Sequence, residues 1–133
     1  MKFSYVTVAC VLGFVGVALG AFGAHALASV VTSDRLATWS TAVDYHMFHT
    51  LVILALSGLF KGSHSVWLRR ALRAFIAGIL IFSGSLYALV ITDIGILGAV
   101  TPIGGVLLLL GWFCAFAASR ESAGDDSANR SSN

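Results

Sequence analysis

Residues 20–50 read GAFGAHALASVVTSDRLATWSTAVDYHMFHT, and this stretch decides the fold because one apolar run ends in it and another begins. Between the two runs lies a short polar segment, from Thr32 to Arg35. Thr32 or Ser33 is placed to cap the helix that follows. The stretch therefore predicts two membrane spans joined by a loop outside the hydrocarbon.

The whole chain has the composition of a membrane protein. Of its 133 residues 58% are hydrophobic and 11% are charged, whereas soluble domains have about 45–50% apolar residues. A spanning helix needs about 20 mainly apolar residues. Four such runs occur, near 3–28, 41–60, 71–92 and 96–118. These runs predict an all-α polytopic membrane protein with four transmembrane helices in a bundle, forming one domain over 1–119.

Two segments need separate treatment. After Arg120 the sequence ESAGDDSANRSSN is small, polar and acidic, which predicts a disordered cytoplasmic tail over 120–133. Pro102 suits the first turn of the fourth helix, but the apolar run after it is barely long enough to span. Residues 94–101 either extend that helix before a kink or dip partly into the membrane, and the sequence leaves both open.

Basic residues predict the orientation and exclude one class of partner. Eight lysines and arginines spread along 133 residues form no basic patch for nucleic acid, so the partner we expect is the lipid bilayer, with other membrane proteins or a homo-oligomer. If the amino terminus is cytoplasmic, Arg35 alone lies on the opposite side. Arginine and lysine favour the cytoplasmic side. We therefore expect both termini and the 61–70 loop to face the cytoplasm.

Small residues mark a packing face on the first helix. On a helical wheel of about 100° per residue they gather on one side, and they are Gly13, Gly16, Gly20, Gly23 and Ala24. Small residues let membrane helices approach closely, so another helix is expected to pack there.

Polar side chains gather toward one end of the predicted spans. Counting about 20 residues back from Phe60 puts the outer hydrocarbon boundary near Thr41, with Trp39 in the interfacial aromatic belt. The candidate polar cluster lies toward this boundary, and His25, Asp44, His46 and His49 are within about two turns of it. Its members are His25, Asp44, Tyr45, His46, His49, Ser83, Ser85 and Tyr87.

A metal site is the sharpest chemical hypothesis for this cluster, because imidazoles with a carboxylate bind zinc, copper or iron. Tyr45, His46 and His49 share an arc of about 100°, but Asp44 points about 160° away from His46. A site would therefore need His25 from the first helix, which lies off the glycine face. Hydrogen-bonded structural histidines are the alternative, and no cofactor is expected.

Asp44 raises a question of its own, because a carboxylate one turn inside the membrane needs a donor or a proton. Hydroxyl groups at Ser40 and Thr41 lie within a turn and favour a structural role. A proton relay is the functional alternative for a membrane carboxylate.

Four motifs carry a resemblance. They are GAFGAHAL at 20–27, W-x-T-A-V-x-Y-H-x-x-H from Trp39 to His49, FSGSLY at 82–87 and TPIGG at 101–105. In this order and spacing they resemble the YgdD-like (YwdK-like) family of small bacterial inner-membrane proteins, over about residues 10–118. The resemblance implies four spans in the plasma membrane and brings no catalytic residues. At position 44 that family tends to have a neutral amide, whereas this chain has a carboxylate.

Two functional hypotheses follow. The first is a non-enzymatic integral membrane protein that acts through partners or membrane organisation. The second is a small transporter, or a protein that binds a metal or small solute through the His/Tyr cluster. No nucleophile elbow, phosphate loop, CxxC or HExxH motif occurs in the sequence, so an enzyme is not expected.

Overall fold

The computed structural model describes residues 4–131, with side chains as far as Ser122, and these residues form no strand. Four helices are long and apolar enough to cross a membrane. They are α1 Tyr5–Phe22, continued by a π-helix over Gly23–Leu27, α2 Ser33–Leu59, α3 Val66–Thr92 and α4 Thr101–Ser131. The all-α fold with four membrane-spanning helices is confirmed.

Hydroxyl groups fix where α2 and α3 begin. The Thr32 hydroxyl accepts a hydrogen bond from the backbone N–H of Arg35 at 3.4 Å, and the Ser65 hydroxyl accepts one from Leu68 at 3.2 Å. Each bond satisfies one of the free amides that every helix start leaves. Of the two cap residues that the sequence offers for α2, Thr32 is the one used.

The central helix of the bundle is α3. In its apolar 18-residue stretch 44% of the residues are buried, the largest share among the four spans. Its fully buried Phe75 belongs to one apolar core with Ile53 of α2 and Leu108 of α4. Backbone contacts join α1 with α2, α2 with α3, and α3 with α4, so the order in the chain is also the order in space.

The first helix meets α2 through its glycines. A Cβ on Gly16 would overlap Met47, and one on Gly23 would overlap the indole of Trp39. Ala24, which the sequence groups with them, is exposed. The glycines that face α2 are Gly13, Gly16, Gly20 and Gly23.

The closest helix crossing joins α3 to α4. A Cβ on Gly104 would lie 2.6 Å from the Cα of Phe82, so the two backbones approach at this point as only a glycine allows. Seven residues further along α4, Gly111 lies against the ring of Phe75 in the same way. Glycine therefore sets the separation of α3 and α4.

Charged groups lie at the two ends of the bundle. At one end Arg35 pairs with Asp93, which ends α3 in the left-handed conformation with φ of 57°. At the other end the Ser65 hydroxyl donates to Glu121, which connects the start of α3 to α4. This second end also holds the basic residues Lys61, Arg69, Arg70, Arg73 and Arg120.

Of residues 94–101 only Thr101 belongs to α4, so this segment does not extend that helix. Gly95–Ala99 forms a separate 3₁₀ helix, and Val100 lies between it and α4. A Cβ on Gly98 would lie 3.2 Å from the Leu89 side chain, so this short helix packs on the end of α3. Pro102 falls in the first turn of α4.

α4 continues as helix to Ser131, into the segment after Arg120 for which the sequence predicts a disordered tail. Extending an existing helix needs no new nucleus, and no proline follows Pro102. Residues 132–133 of the predicted tail lie outside the described residues.

Candidate functional site

A groove of about 750 Å³ runs between α2 and α4. It exists because both helices pack on α3, which supplies Phe82 to the lining. Asp44, Tyr45 and Pro102 line it near the start of α4, and His49 and Trp112 line it further along. Ten residues of helix separate Pro102 from Trp112, so the groove is about 15 Å long. Its remaining lining is Phe48, Gly105, Val106, Leu108 and Leu109.

The groove opens outward rather than into the bundle. The side chains on its rim are largely accessible, with Leu109 70% and Val106 55% exposed. Both belong to a helix long and apolar enough to span a membrane. Whatever fills the groove therefore enters sideways, from the medium around the helices.

His49 is held by two hydrogen bonds that define its tautomer. Its Nε2 lies 3.4 Å from the indole N–H of Trp112, which can only donate, so Nε2 accepts. Its Nδ1 lies 2.8 Å from the carbonyl oxygen of Tyr45 and must therefore carry the proton. Both ring nitrogens are occupied, and the imidazole is neutral.

His46 belongs to a different environment inside the bundle. Its Nδ1 lies 3.3 Å from the Tyr87 hydroxyl, and its ring packs where Gly16 of α1 has no side chain. The ring of Tyr87 also packs on that of Trp39, with centroids 4.7 Å apart. His46 Nε2 is buried and has no hydrogen-bond partner among the described residues. The side chain thus links α2 with α3 beside α1.

The two serines of the cluster have different surroundings. Ser85 bonds the Thr101 hydroxyl at 2.8 Å and so ties α3 to the start of α4. Ser83 is 1% exposed, and its hydroxyl finds no partner within the described part of the chain. It lies one turn before Tyr87 on the same face of α3.

Asp44 and Tyr45 are exposed at the rim of the groove. The Tyr45 ring stacks on Phe82 with centroids 4.5 Å apart. The donors that the sequence offers to Asp44 do not reach it, since Thr41 bonds the Ala37 carbonyl instead. Within residues 4–122 the carboxylate of Asp44 has no hydrogen bond or ion pair.

The structure does not bring the three candidate metal ligands together. His25 is exposed on the π-helical end of α1, whereas His46 and His49 are buried and bonded to different partners. No group of three or more histidine, cysteine, aspartate or glutamate side chains able to hold a metal ion occurs in the described residues.

Three residues at the site escape sequence reasoning. Trp39 is 1% exposed, so its indole packs inside the protein, whereas the sequence predicts only that it lies at the depth of the interfacial aromatic belt. Gly23 has no side chain, which leaves room for the indole of Trp39. The indole N–H donates to the Leu19 carbonyl oxygen at 2.9 Å. Phe82 and Trp112 line the groove. In the sequence, each of these two residues is an aromatic residue close to a glycine of a packing face. That pattern does not predict which helix lies opposite.

Comparison with known proteins agrees with this architecture. The model of a family described as a protein of unknown function, DUF423, matches residues 19–105. The chain belongs to this family. It is 44% identical over 108 residues to the UPF0382 membrane protein SAB0533 of Staphylococcus aureus (strain bovine RF122 / ET3-1), with 81% of this chain and 88% of that protein covered. No solved structure matches the chain.

Two further relatives confirm the resemblance to the YgdD-like, YwdK-like family. The chain is 39% identical to the UPF0382 membrane protein YwdK of Bacillus subtilis (strain 168), with 81% of the chain and 89% of YwdK covered. It is also 39% identical to the UPF0382 inner membrane protein YgdD of Escherichia coli (strain K12), with 78% of the chain and 79% of YgdD covered. The DUF423 match includes α2, α3 and the first residues of α4.

The hydrogen bond between His46 and Tyr87 should contribute to stability. We expect Tyr87→Phe to lower the free energy of unfolding by about 1–2 kcal/mol, because it leaves His46 Nδ1 buried without a partner. Tyr5→Phe is the matched control, because the Tyr5 hydroxyl makes no hydrogen bond within residues 4–122. It should change the free energy of unfolding by less than about 0.5 kcal/mol. Reversible unfolding in mixed detergent micelles measures both. Equal stability of the two variants would contradict a structural role for this bond.

Proposed function

We propose that this protein is a non-enzymatic integral membrane protein that binds an amphiphile from the bilayer in the groove between α2 and α4. The observation that carries this proposal is the groove itself, about 750 Å³ in volume and open sideways. Ligand sites commonly have volumes of about 300–1,000 Å³, with mainly apolar walls and a few polar groups. Here the walls are aromatic and aliphatic, with polar groups near the start of α4 and at His49.

The chemistry of the polar groups supports binding over catalysis. Nucleophilic catalysis needs a hydroxyl or thiol that is hydrogen-bonded to a base. Both nitrogens of His49 are bonded to other groups, and the Asp44 carboxylate bonds no hydroxyl or thiol within the described residues. The buried hydroxyl of Ser83 lacks a hydrogen-bonded base within the described residues. The alternative, a transporter or metal-binding protein using the His/Tyr cluster, has less support because His25, His46 and His49 have separate surroundings.

The proposed orientation places both termini and the turn between α2 and α3 in the cytoplasm. Its support is the uneven distribution of basic residues, because Lys61, Arg69, Arg70 and Arg120 share one end of the bundle and Arg35 lies at the other. Short loops rich in lysine and arginine stay on the cytoplasmic side. Among the relatives, YgdD is called an inner membrane protein.

Cysteine labelling tests this orientation. In a chain with Cys10→Ala and Cys114→Ala, a thiol reagent that cannot cross the membrane should label Ser33→Cys in spheroplasts. It should label Ser63→Cys, in the basic turn, only after the membrane is permeabilised. The reverse pattern would refute the proposed orientation.

Quenching of tryptophan fluorescence tests the groove. The full chain with Trp67→Phe is reconstituted in vesicles that contain increasing fractions of a lipid with brominated acyl chains. Trp39 is 1% exposed and Trp112 is 43% exposed, so contact quenching reports on Trp112. An amphiphile bound in the groove should give a component that saturates at low mole fraction. We expect Gly105→Leu, which fills the groove, to remove this component.

Gly84→Leu is the matched control, because it makes the same change on α3 where a new Cβ would meet nothing within 4 Å. It should keep the saturating component. If the unsubstituted groove shows only a gradual rise in quenching, or if both leucine variants behave alike, the groove is not a binding site.

A further inference from the structure

Asp44 lies where two hollows meet on the surface of α2. One hollow is the groove, and the other is a space of about 240 Å³ between α1 and α2. The smaller hollow runs from Asp44 past Ser40 to Leu36 and Ala28, the residues that flank the loop between these helices. The carboxylate therefore separates an apolar groove from a more polar space toward the loop.

The carboxylate is open to a ligand. The ion pair found within residues 4–122 joins Arg35 to Asp93, so no basic side chain of the described chain neutralises Asp44. Its helix is long and apolar enough to span a membrane. A carboxylate in such a position is costly unless it pairs with a cation or a hydrogen-bond donor.

We infer that the amphiphile bound by this groove carries a protonated amine in its headgroup, with Asp44 as the partner of that ammonium. This inference rests on the proposed function, because it assigns the headgroup of the same ligand. The tail lies against Phe48, Phe82 and Leu109, and the head lies beside Asp44 and Ser40. The neighbouring Tyr45 hydroxyl, free of hydrogen bonds within the described residues, adds an acceptor for the same head.

Charge complementarity favours this occupant over others. An anionic amphiphile would meet the Asp44 carboxylate with like charge, and no cation among the described residues pairs with that carboxylate. The basic residues that a second copy could offer lie mostly at the opposite end of the bundle, and Arg35 is already paired with Asp93. An apolar partner helix would leave the carboxylate without a partner.

The test compares two brominated lipids in the same quenching experiment with the full chain. One lipid is phosphatidylethanolamine, whose head carries a primary ammonium, and the other is phosphatidylglycerol, which has no amine. We expect binding at Trp112 to favour the amine lipid about three- to fivefold, the ratio that a partly exposed ion pair provides. Asp44→Asn, which keeps the shape and removes the charge, should abolish the preference.

Two further variants separate charge from folding. Asp34→Asn removes the same charge from the exposed first turn of α2, outside the groove, and should keep the preference. Asp44→Glu retains the charge and should keep it as well.

The outcomes distinguish this inference from the proposed function. Equal binding of the two lipids, or a preference that persists in Asp44→Asn, overturns the ammonium assignment, and the groove stands if Gly105→Leu still blocks both lipids. If Gly105→Leu leaves saturating quenching intact, the groove proposal itself fails. A bound second copy or partner helix would make quenching independent of the headgroup, which also overturns the inference.

Discussion

The structure depends on the close contact between Gly104 of α4 and the backbone of Phe82 in α3. Lipid gives little hydrophobic force for bringing membrane helices together, so close packing and hydrogen bonds between helices must do so. Gly111 against Phe75 and the bond between Ser85 and Thr101 extend the same contact along the helix pair. Because α4 packs mainly along α3 and meets α2 through Trp112, which contacts Phe48 and His49, a groove stays open between α2 and α4.

This arrangement divides the polar side chains into two groups with different consequences. His46 and Tyr87 are bonded inside the bundle and link α2 with α3, so their chemistry serves the fold. Asp44 and Tyr45 lie at the rim, where their side-chain oxygen atoms make no hydrogen bond to the described residues and can meet a ligand. His49 lies between the two groups, because Trp112 of α4 and the backbone of Tyr45 hold it while its ring lines the groove.

Much of this architecture can be predicted from local sequence, but the site only in part. The sequence names Asp44, Tyr45 and His49, which line the groove, and does not show which helix faces them. Hydropathy and length give the four spans, and the wheel positions of Gly16, Gly20 and Gly23 give the face of α1 that packs. The wheel does not say which helix lies opposite, so the sequence does not reveal that Gly23 accommodates the indole of Trp39. For the same reason the sequence leaves open whether His25 lies near His46 and His49. The sequence of α4 also does not indicate that Trp112 contacts His49.

The contact between α3 and α4 is tested most directly by comparing Gly104→Ala with Gly84→Ala in reversible unfolding. Alanine favours helix over glycine by about 1 kcal/mol, so Gly84→Ala, in open space, should be neutral or stabilising. Gly104→Ala must push the α3 backbone away and should lower the free energy of unfolding by about 1–3 kcal/mol. If Gly104→Ala is as stable as Gly84→Ala, α3 and α4 do not meet as described. The groove between α2 and α4, which depends on that contact, would then be contradicted as well.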